Sequence, residues 1–123
     1  NVIFPGYVKG AIIEGAYADA DVFFFPSHEE TEGIVVLEAL AAKCKTILRD
    51  IGVYDPWLVD KVHVYKGSSN DEFVRLVRGC VEKTLPDLTK AAYEVARERN
   101  IPEIGKQLKE IYRMVMKLPV KSE

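Results

Sequence analysis

Short apolar runs alternate with longer segments of helical periodicity along the 123 residues of this chain. The apolar runs are rich in β-branched and aromatic side chains, and they predict four strands at residues 2–4, 21–25, 45–49 and 62–65. Apolar positions three or four residues apart predict helices at residues 11–18 and 32–42. Strands that alternate with helices are typical of an α/β fold with a parallel sheet, and residues 21–25 resemble a strand buried on both faces.

The last 50 or so residues carry helical signals only. Ser69 and Glu72 have the spacing of a capping box, which predicts a helix that begins there. Pro86-Asp87 predicts the start of the next helix, and Asn100-Ile101-Pro102 predicts both its end and the start of the last one. That last helix has an apolar stripe at Ile104, Leu108, Ile111 and Val115. The tail, residues 119–123, is expected to fray.

Composition and charge narrow the functional classes. A net charge of −2 argues against a nucleic-acid partner, which would select a basic surface. Cys44 and Cys80 have no His or Cys at metal-ligand spacing, so we expect reduced thiols in a cytoplasmic protein. No apolar stretch approaches the ~20 residues of a membrane span. The opening residues 1–4 have no initiator Met or signal-peptide pattern and resemble the interior of a strand, which suggests a piece of a longer protein.

Candidate chemistry is concentrated between Pro26 and Leu40. An apolar strand stops at a proline, an acidic loop follows, and Gly33 opens an apolar helix that contains one carboxylate. Open α/β folds bind ligands beyond the carboxyl ends of their strands, with phosphates at helix N-termini. The N–H groups of Gly33, Ile34 and Val35 could therefore hold a diphosphate, although every helix start offers such groups.

The lone helical carboxylate, Glu38, has only apolar neighbours at helical spacing: Ile34, Val35, Ala41 and Ala42. This pattern predicts a side chain that faces a crevice or a partly buried site, where ligand hydroxyls such as those of a ribose would satisfy it. The alternative is a glutamate at the edge of a helix buried on two sides, bonded to a neighbouring backbone.

Glu30 lies eight residues earlier, in the acidic loop. An ionised carboxylate there could accept hydrogen bonds from paired sugar hydroxyls, or it could be a solvated cap at a helix N-terminus. Arg49 could contact a ligand or form a local ion pair with Asp50, and the latter is favoured. Tyr54 and Trp57 could cover the crevice, but core packing is the favoured interpretation.

Two familiar nucleotide-binding motifs, G-x-G-x-x-G and G-x-x-x-x-G-K-[ST], are absent from the sequence. Instead, Pro26-Ser27, Glu30, Gly33 and the run Glu38-Ala39-Leu40-Ala41 together resemble the Glu-x7-Glu motif of retaining GT-B glycosyltransferases of family 4. The family's common Glu-Gly-Phe-Gly reads Glu-Thr-Glu-Gly here, and its glycine after the motif helix is Lys43. Glu-Thr-Glu-Gly, Arg-Asp-Ile and Tyr-x-x-Trp-Leu look most like bacterial enzymes that glycosylate diacylglycerol lipids.

The resemblance implies a partial Rossmann-like domain, the C-terminal donor-binding domain of a GT-B enzyme, over residues 1–118. The N-terminal domain and the first strands of the donor domain would be missing. The strand at residues 2–4 would then lack its neighbour, and would either find another partner or pack loosely. The isolated chain is expected to have little or no activity.

The resemblance also implies roles for individual residues. Glu30 would be the catalytic-site carboxylate that holds donor-sugar hydroxyls, and Glu38 would hold the ribose. The sugar and diphosphate would face Glu30 and its neighbours Thr31, Glu32, Gly33 and Ile34, whereas Gly6 and Tyr7 would lie near the base.

The implied donor is a nucleotide diphosphate sugar such as UDP-glucose, and no cofactor or essential metal is expected. The implied acceptor is a diacylglycerol glycolipid at the inner face of the cell membrane. A nucleotide-sugar epimerase of GT-B architecture and a non-catalytic nucleotide-sugar-binding module are the alternatives.

Overall fold

The computed structural model describes residues 1–117, and it contains a parallel sheet of three strands. These are β1 (Phe23–Phe25), β2 (Thr46–Arg49) and β3 (Tyr65–Gly67), in the spatial order β1-β2-β3. Phe23 is paired with Thr46, and Ile47 is paired with Tyr65. The α/β class, the parallel sheet and the partial Rossmann-like arrangement are therefore confirmed.

The helices follow the predicted order along the chain. They are α1 (Ala11–Asp19), α2 (Ile34–Ala41), α3 (Asn70–Val81), α4 (Thr89–Glu98) and α5 (Ile101–Lys117), with a short 3₁₀ helix at Gly52–Tyr54. Successive side chains of β2 point to opposite faces of the sheet. Leu48 belongs to a core cluster with residues of α2 and α4, and Ile47 belongs to a second cluster with residues of α3. The sheet is thus covered on both faces.

The strand predicted at residues 2–4 is not formed, and this segment is exposed, with Phe4 91% accessible. A short apolar run becomes a strand only when a neighbouring strand pairs with its N–H and C=O groups. Loose packing, one of the two expected outcomes, is what the structure shows.

Among residues 1–117, β1 is an edge strand, since it is paired with β2 and with no other strand. The prediction that it is buried on both faces is wrong, because Phe24 is 42% exposed. The last predicted strand is also displaced, from residues 62–65 to β3. Lys61 adopts a positive φ of 58°, and its N–H donates to the carbonyl of Val64 at 2.8 Å, which closes a turn where the strand was expected.

The predicted final helix exists as α5, but none of its residues is buried. Its apolar stripe of Ile104, Leu108, Ile111 and Val115 is exposed. The predicted tail and the predicted domain end at residue 118 lie outside the described residues.

The capping box at the start of α3 is confirmed. The N–H of Glu72 donates to Ser69 Oγ at 3.3 Å, and Glu72 Oε2 accepts from the N–H groups of Ser68 and Ser69 at 2.7 and 3.2 Å. These backbone hydrogen bonds hold the pKa of Glu72 below its usual value, and the bond from Ser68 has the largest effect.

Ser69→Ala should lower the free energy of unfolding by about 1 kcal/mol, because the N–H of Glu72 loses its side-chain acceptor. Chemical denaturation of the purified protein measures the effect. The neighbouring Ser68→Ala is the matched control, since only the backbone of Ser68 takes part in the hydrogen bonds at this site. Equal losses in the two variants would contradict the assignment of the cap to Ser69.

Candidate functional site

Arg49 links the carboxyl ends of the three strands. Its Nε donates to the carbonyl of Pro26, which follows β1, at 2.9 Å, and its Nη1 donates to the carbonyl of Ser68, which follows β3, at 3.1 Å. Its guanidinium lies 5.0 Å from the ring centroid of Phe73. The favoured ion pair with Asp50 is not formed in the part of the chain that the structure describes. Arg49 therefore anchors the start of the acidic loop.

Glu30 lies above β1 and folds back onto its own loop. Its Oε1 accepts from the N–H of Thr31 at 2.7 Å and from the N–H of Glu32 at 3.3 Å. These two hydrogen bonds lower the pKa of Glu30, and the bond from Thr31 has the larger effect. The carboxylate therefore stays ionised to a lower pH than an ordinary glutamate, while the side chains of Thr31 and Glu32 are exposed.

Gly33 ends the acidic loop and is the N-cap of α2. Its φ of 71° lies in the left-handed region, and its carbonyl accepts from Val36 and Leu37 at 3.0 and 3.1 Å. No side chain caps this helix start, and Ile34, the first helical residue, is 59% exposed. Among residues 1–117, the N–H groups of Ile34 and Val35 have no hydrogen-bond partner, and they lie at a helix start beside an ionised carboxylate.

Two aromatic rings pack beneath Gly33. A Cβ at this position would lie 3.2 Å from Tyr54 Cε1 and 3.4 Å from Trp57 Cζ2. The rings contact each other edge to face, with centroids 6.0 Å apart. Packing, the favoured interpretation for Tyr54 and Trp57, is what the structure shows, and it gives Gly33 a reason to be glycine that is independent of any ligand.

Glu38 lies on the exposed side of α2, with Oε2 accepting from the Tyr17 hydroxyl at 3.2 Å. The prediction was a crevice or a partly buried site: the partly buried site is not formed, but Glu38 does line an open surface crevice with Leu37, Ala96 and Arg99. Helix α2 packs through Val36, Ala39 and Leu40, and the apolar neighbours of Glu38 lie on its uncovered side. The alternative, a bond from the Glu38 side chain to neighbouring backbone, is not formed within residues 1–117. Tyr17 is a partner that the sequence pattern did not reveal, because it comes from a separate helix.

The site residues occupy three places. Glu30, Thr31, Glu32, Gly33 and Ile34 form one continuous loop and helix start. Glu38 lies about one turn further along α2 and is bonded to α1 rather than to the loop.

The remaining predicted site residues, Gly6 and Tyr7, lie in the exposed N-terminal segment. Gly6 has a φ of 72° with open space around it, and Tyr7 has Lys9 Nζ 5.1 Å from its ring centroid. Within residues 1–117, no hydrogen bond joins this segment to the acidic loop.

The described residues form neither a metal-binding cluster nor a membrane-spanning helix. Across residues 1–117, no three His, Cys, Asp or Glu side chains are grouped so that they could hold a metal ion. None of the helices in this part of the chain has both the length and the apolar character needed to cross a bilayer.

Comparison with known proteins adds an independent line of evidence. Residues 1–99 match the family model described as glycosyl transferases group 1. The chain is 48% identical over 118 residues to the processive diacylglycerol alpha-glucosyltransferase of Acholeplasma laidlawii, which covers 96% of this chain and 36% of that protein. It is 31% identical over 98 residues to the alpha-galactosylglucosyldiacylglycerol synthase of Streptococcus pneumoniae, which covers 80% of this chain and 26% of that protein.

The chain thus spans about a third or less of the length of these relatives. Both names agree with the predicted resemblance to enzymes of diacylglycerol lipids, and that prediction is confirmed. The Glu-x7-Glu spacing, the helix start behind the acidic loop and the match over residues 1–99 lead to one conclusion: this chain belongs to the glycosyl transferases group 1 family.

Proposed function

We propose that this chain is the donor-binding half of a retaining glycosyltransferase, which transfers glucose from UDP-glucose to a diacylglycerol glycolipid. The observation that carries the proposal is the start of α2, where no side chain caps the helix and, within the described residues, the N–H groups of Ile34 and Val35 have no hydrogen-bond partner and lie next to the ionised Glu30. Such a helix start favours a diphosphate, because its N–H groups and its dipole stabilise negative charge.

Glu30 and Glu38 would divide the recognition of the donor between them. Glu30 would accept hydrogen bonds from sugar hydroxyls, which compete with the N–H groups of Thr31 and Glu32 for its Oε1. Glu38 would accept from the ribose hydroxyls in place of the Tyr17 hydroxyl. Both carboxylates are accessible to such an exchange, since neither is buried. Gly6 and Tyr7 would approach the base when the preceding part of the protein orders their segment.

Stabilising the departing diphosphate is the main electrostatic task of this reaction. The amides of Ile34 and Val35 and the positive end of the α2 dipole would supply part of that stabilisation. We assign the rest to the part of the protein that precedes this chain in the family. The acceptor would be taken from the inner face of the cell membrane, where a cytoplasmic enzyme would be held peripherally.

Transfer is favoured over epimerisation because the relatives named above are a transferase and a synthase. The full-length protein, incubated with UDP-glucose and monoglucosyldiacylglycerol in vesicles, should release UDP and form a glycolipid with retained anomeric configuration. UDP-glucose, but not NAD, should raise its unfolding temperature. Absence of both turnover and stabilisation with UDP-glucose and UDP-galactose would overturn the proposal, and binding without turnover would favour the non-catalytic alternative.

Glu38→Gln should weaken UDP binding about tenfold, because hydrogen bonds to a charged acceptor are roughly twice as strong as those to a neutral one. Isothermal titration of the full-length protein with UDP measures this. Glu94→Gln is the control, since in the described part of the chain Glu94 pairs with the exposed Arg97 on α4 alone, and its substitution should leave UDP affinity unchanged. Unaltered affinity in the Glu38 variant would remove the ribose contact from the proposal.

A further inference from the structure

The hydroxyl of Tyr54 is fully buried, and within the described residues it has no hydrogen-bond partner. A buried hydroxyl without a partner is destabilising and uncommon in folded proteins. Phenylalanine would fill the same space in the core without that cost. The hydroxyl therefore does not stabilise the core in this structure. The groups around it indicate what other role it could have.

The hydroxyl end of the ring faces the acidic loop. Tyr54 Cε1, which adjoins the carbon that carries the hydroxyl, would be 3.2 Å from a Cβ built on Gly33. Glu30 is close enough that its negative charge adds to burial in raising the pKa of Tyr54. Glu30 Oε1 is engaged by the amides of its own loop, and no hydrogen bond to Oε2 is present among residues 1–117. The Tyr54 hydroxyl is thus a buried donor near the Glu30 carboxylate, whose Oε2 accepts no hydrogen bond within the described residues.

We propose that Tyr54 is a positioning residue whose hydroxyl donates a hydrogen bond to the Glu30 carboxylate when a donor sugar occupies the acidic loop. The inference rests on the proposed function. Sugar hydroxyls that approach Glu30 from outside compete for the oxygen now held by Thr31 and Glu32. The carboxylate then needs a second anchor, and Tyr54 supplies it from the protein side. A tyrosine can both fill the core and anchor the carboxylate, because its aromatic ring packs among apolar groups and its hydroxyl donates one hydrogen bond.

The test compares two buried tyrosines in the full-length protein. In Tyr54→Phe, we expect the unfolding midpoint to stay the same or rise, because an unpaired hydroxyl is removed. We expect kcat with UDP-glucose to fall about tenfold and the Kd of UDP-glucose to rise. The Kd of UDP, which lacks the glucosyl group, should stay unchanged.

Tyr65→Phe is the matched control. The Tyr65 hydroxyl donates to the carbonyl of Pro86 at 2.8 Å, remote in sequence from the acidic loop. Its loss should lower the unfolding midpoint and leave kcat and both Kd values unchanged. The two substitutions remove the same atom from two buried tyrosines, so opposite responses separate a positioning role from a packing role.

The outcomes distinguish this inference from the proposed function. Wild-type kinetics and UDP-glucose affinity in an active Tyr54→Phe enzyme would overturn the inference alone. A lower unfolding midpoint with an equal loss of UDP and UDP-glucose affinity would also overturn it, in favour of packing. If the wild-type protein binds neither UDP nor UDP-glucose, the proposed function fails first and the inference fails with it.

Discussion

Glu30→Gln should lower kcat/KM for UDP-glucose about 10²-fold in the full-length protein. The proposed role of Glu30 is to accept hydrogen bonds from two sugar hydroxyls, and each bond to a charged acceptor is stronger by about 1.4 kcal/mol than the bond to an amide oxygen. Two such bonds correspond to about 100-fold in rate. Steady-state kinetics with UDP-glucose and a glycolipid acceptor measures the loss.

The matched control for this prediction is Glu29→Gln. Glu29 is exposed in the same loop and carries the same charge, but it makes none of the loop's hydrogen bonds in the described structure. Near-normal kinetics are expected in this variant. An equal loss in both variants would assign the effect to the net charge of the loop, and unchanged kinetics in the Glu30 variant would remove it from the catalytic site.

The order and type of the elements could be predicted because each depends mainly on a local pattern. The capping box at Ser69 and Glu72, for example, is complete within four residues, and it forms as predicted. The segment around Phe4 has an equally good apolar pattern but no strand to pair with, and so it forms no strand. Phe24 points to a face of the sheet, where its ring contacts the Phe73 ring of α3 with centroids 5.1 Å apart, but α3 covers it only in part and it stays 42% exposed.

The site illustrates a second limit of sequence patterns. Apolar neighbours around Glu38 predicted a crevice or a partly buried site, but a helix with apolar residues on every side does not show which side the protein covers. The bond from Tyr17 and the ring of Tyr54 both come from elsewhere in the chain. Likewise, Arg49 was placed correctly at the end of a strand, but its two carbonyl partners follow the neighbouring strands. Contacts of this kind depend on tertiary packing, which local spacing does not encode.

Gly33→Ala should lower the free energy of unfolding by about 2–3 kcal/mol and abolish most transfer activity. Alanine at a φ of 71° costs about 1–2 kcal/mol, because its Cβ approaches the following carbonyl oxygen. That Cβ would also lie 3.2 Å from Tyr54 Cε1, a tight contact that is relieved by a shift of a few tenths of an ångström, and overpacking of this degree costs about 1 kcal/mol. Relief of the contact would shift the start of α2, whose amides are the proposed diphosphate site. Chemical denaturation and steady-state kinetics measure the two effects.

Gly15→Ala provides the comparison that isolates these causes. Gly15 lies within α1, where no heavy atom comes within 4 Å of an added Cβ and φ is not positive. Alanine has a higher helix propensity than glycine, so this variant should be as stable as the wild type or slightly more stable. If Gly33→Ala were equally stable, the positive φ would carry no cost and the aromatic rings beneath the loop would move easily. The acidic loop would then not be held rigidly from below, and the requirement for glycine at residue 33 would come from the ligand alone.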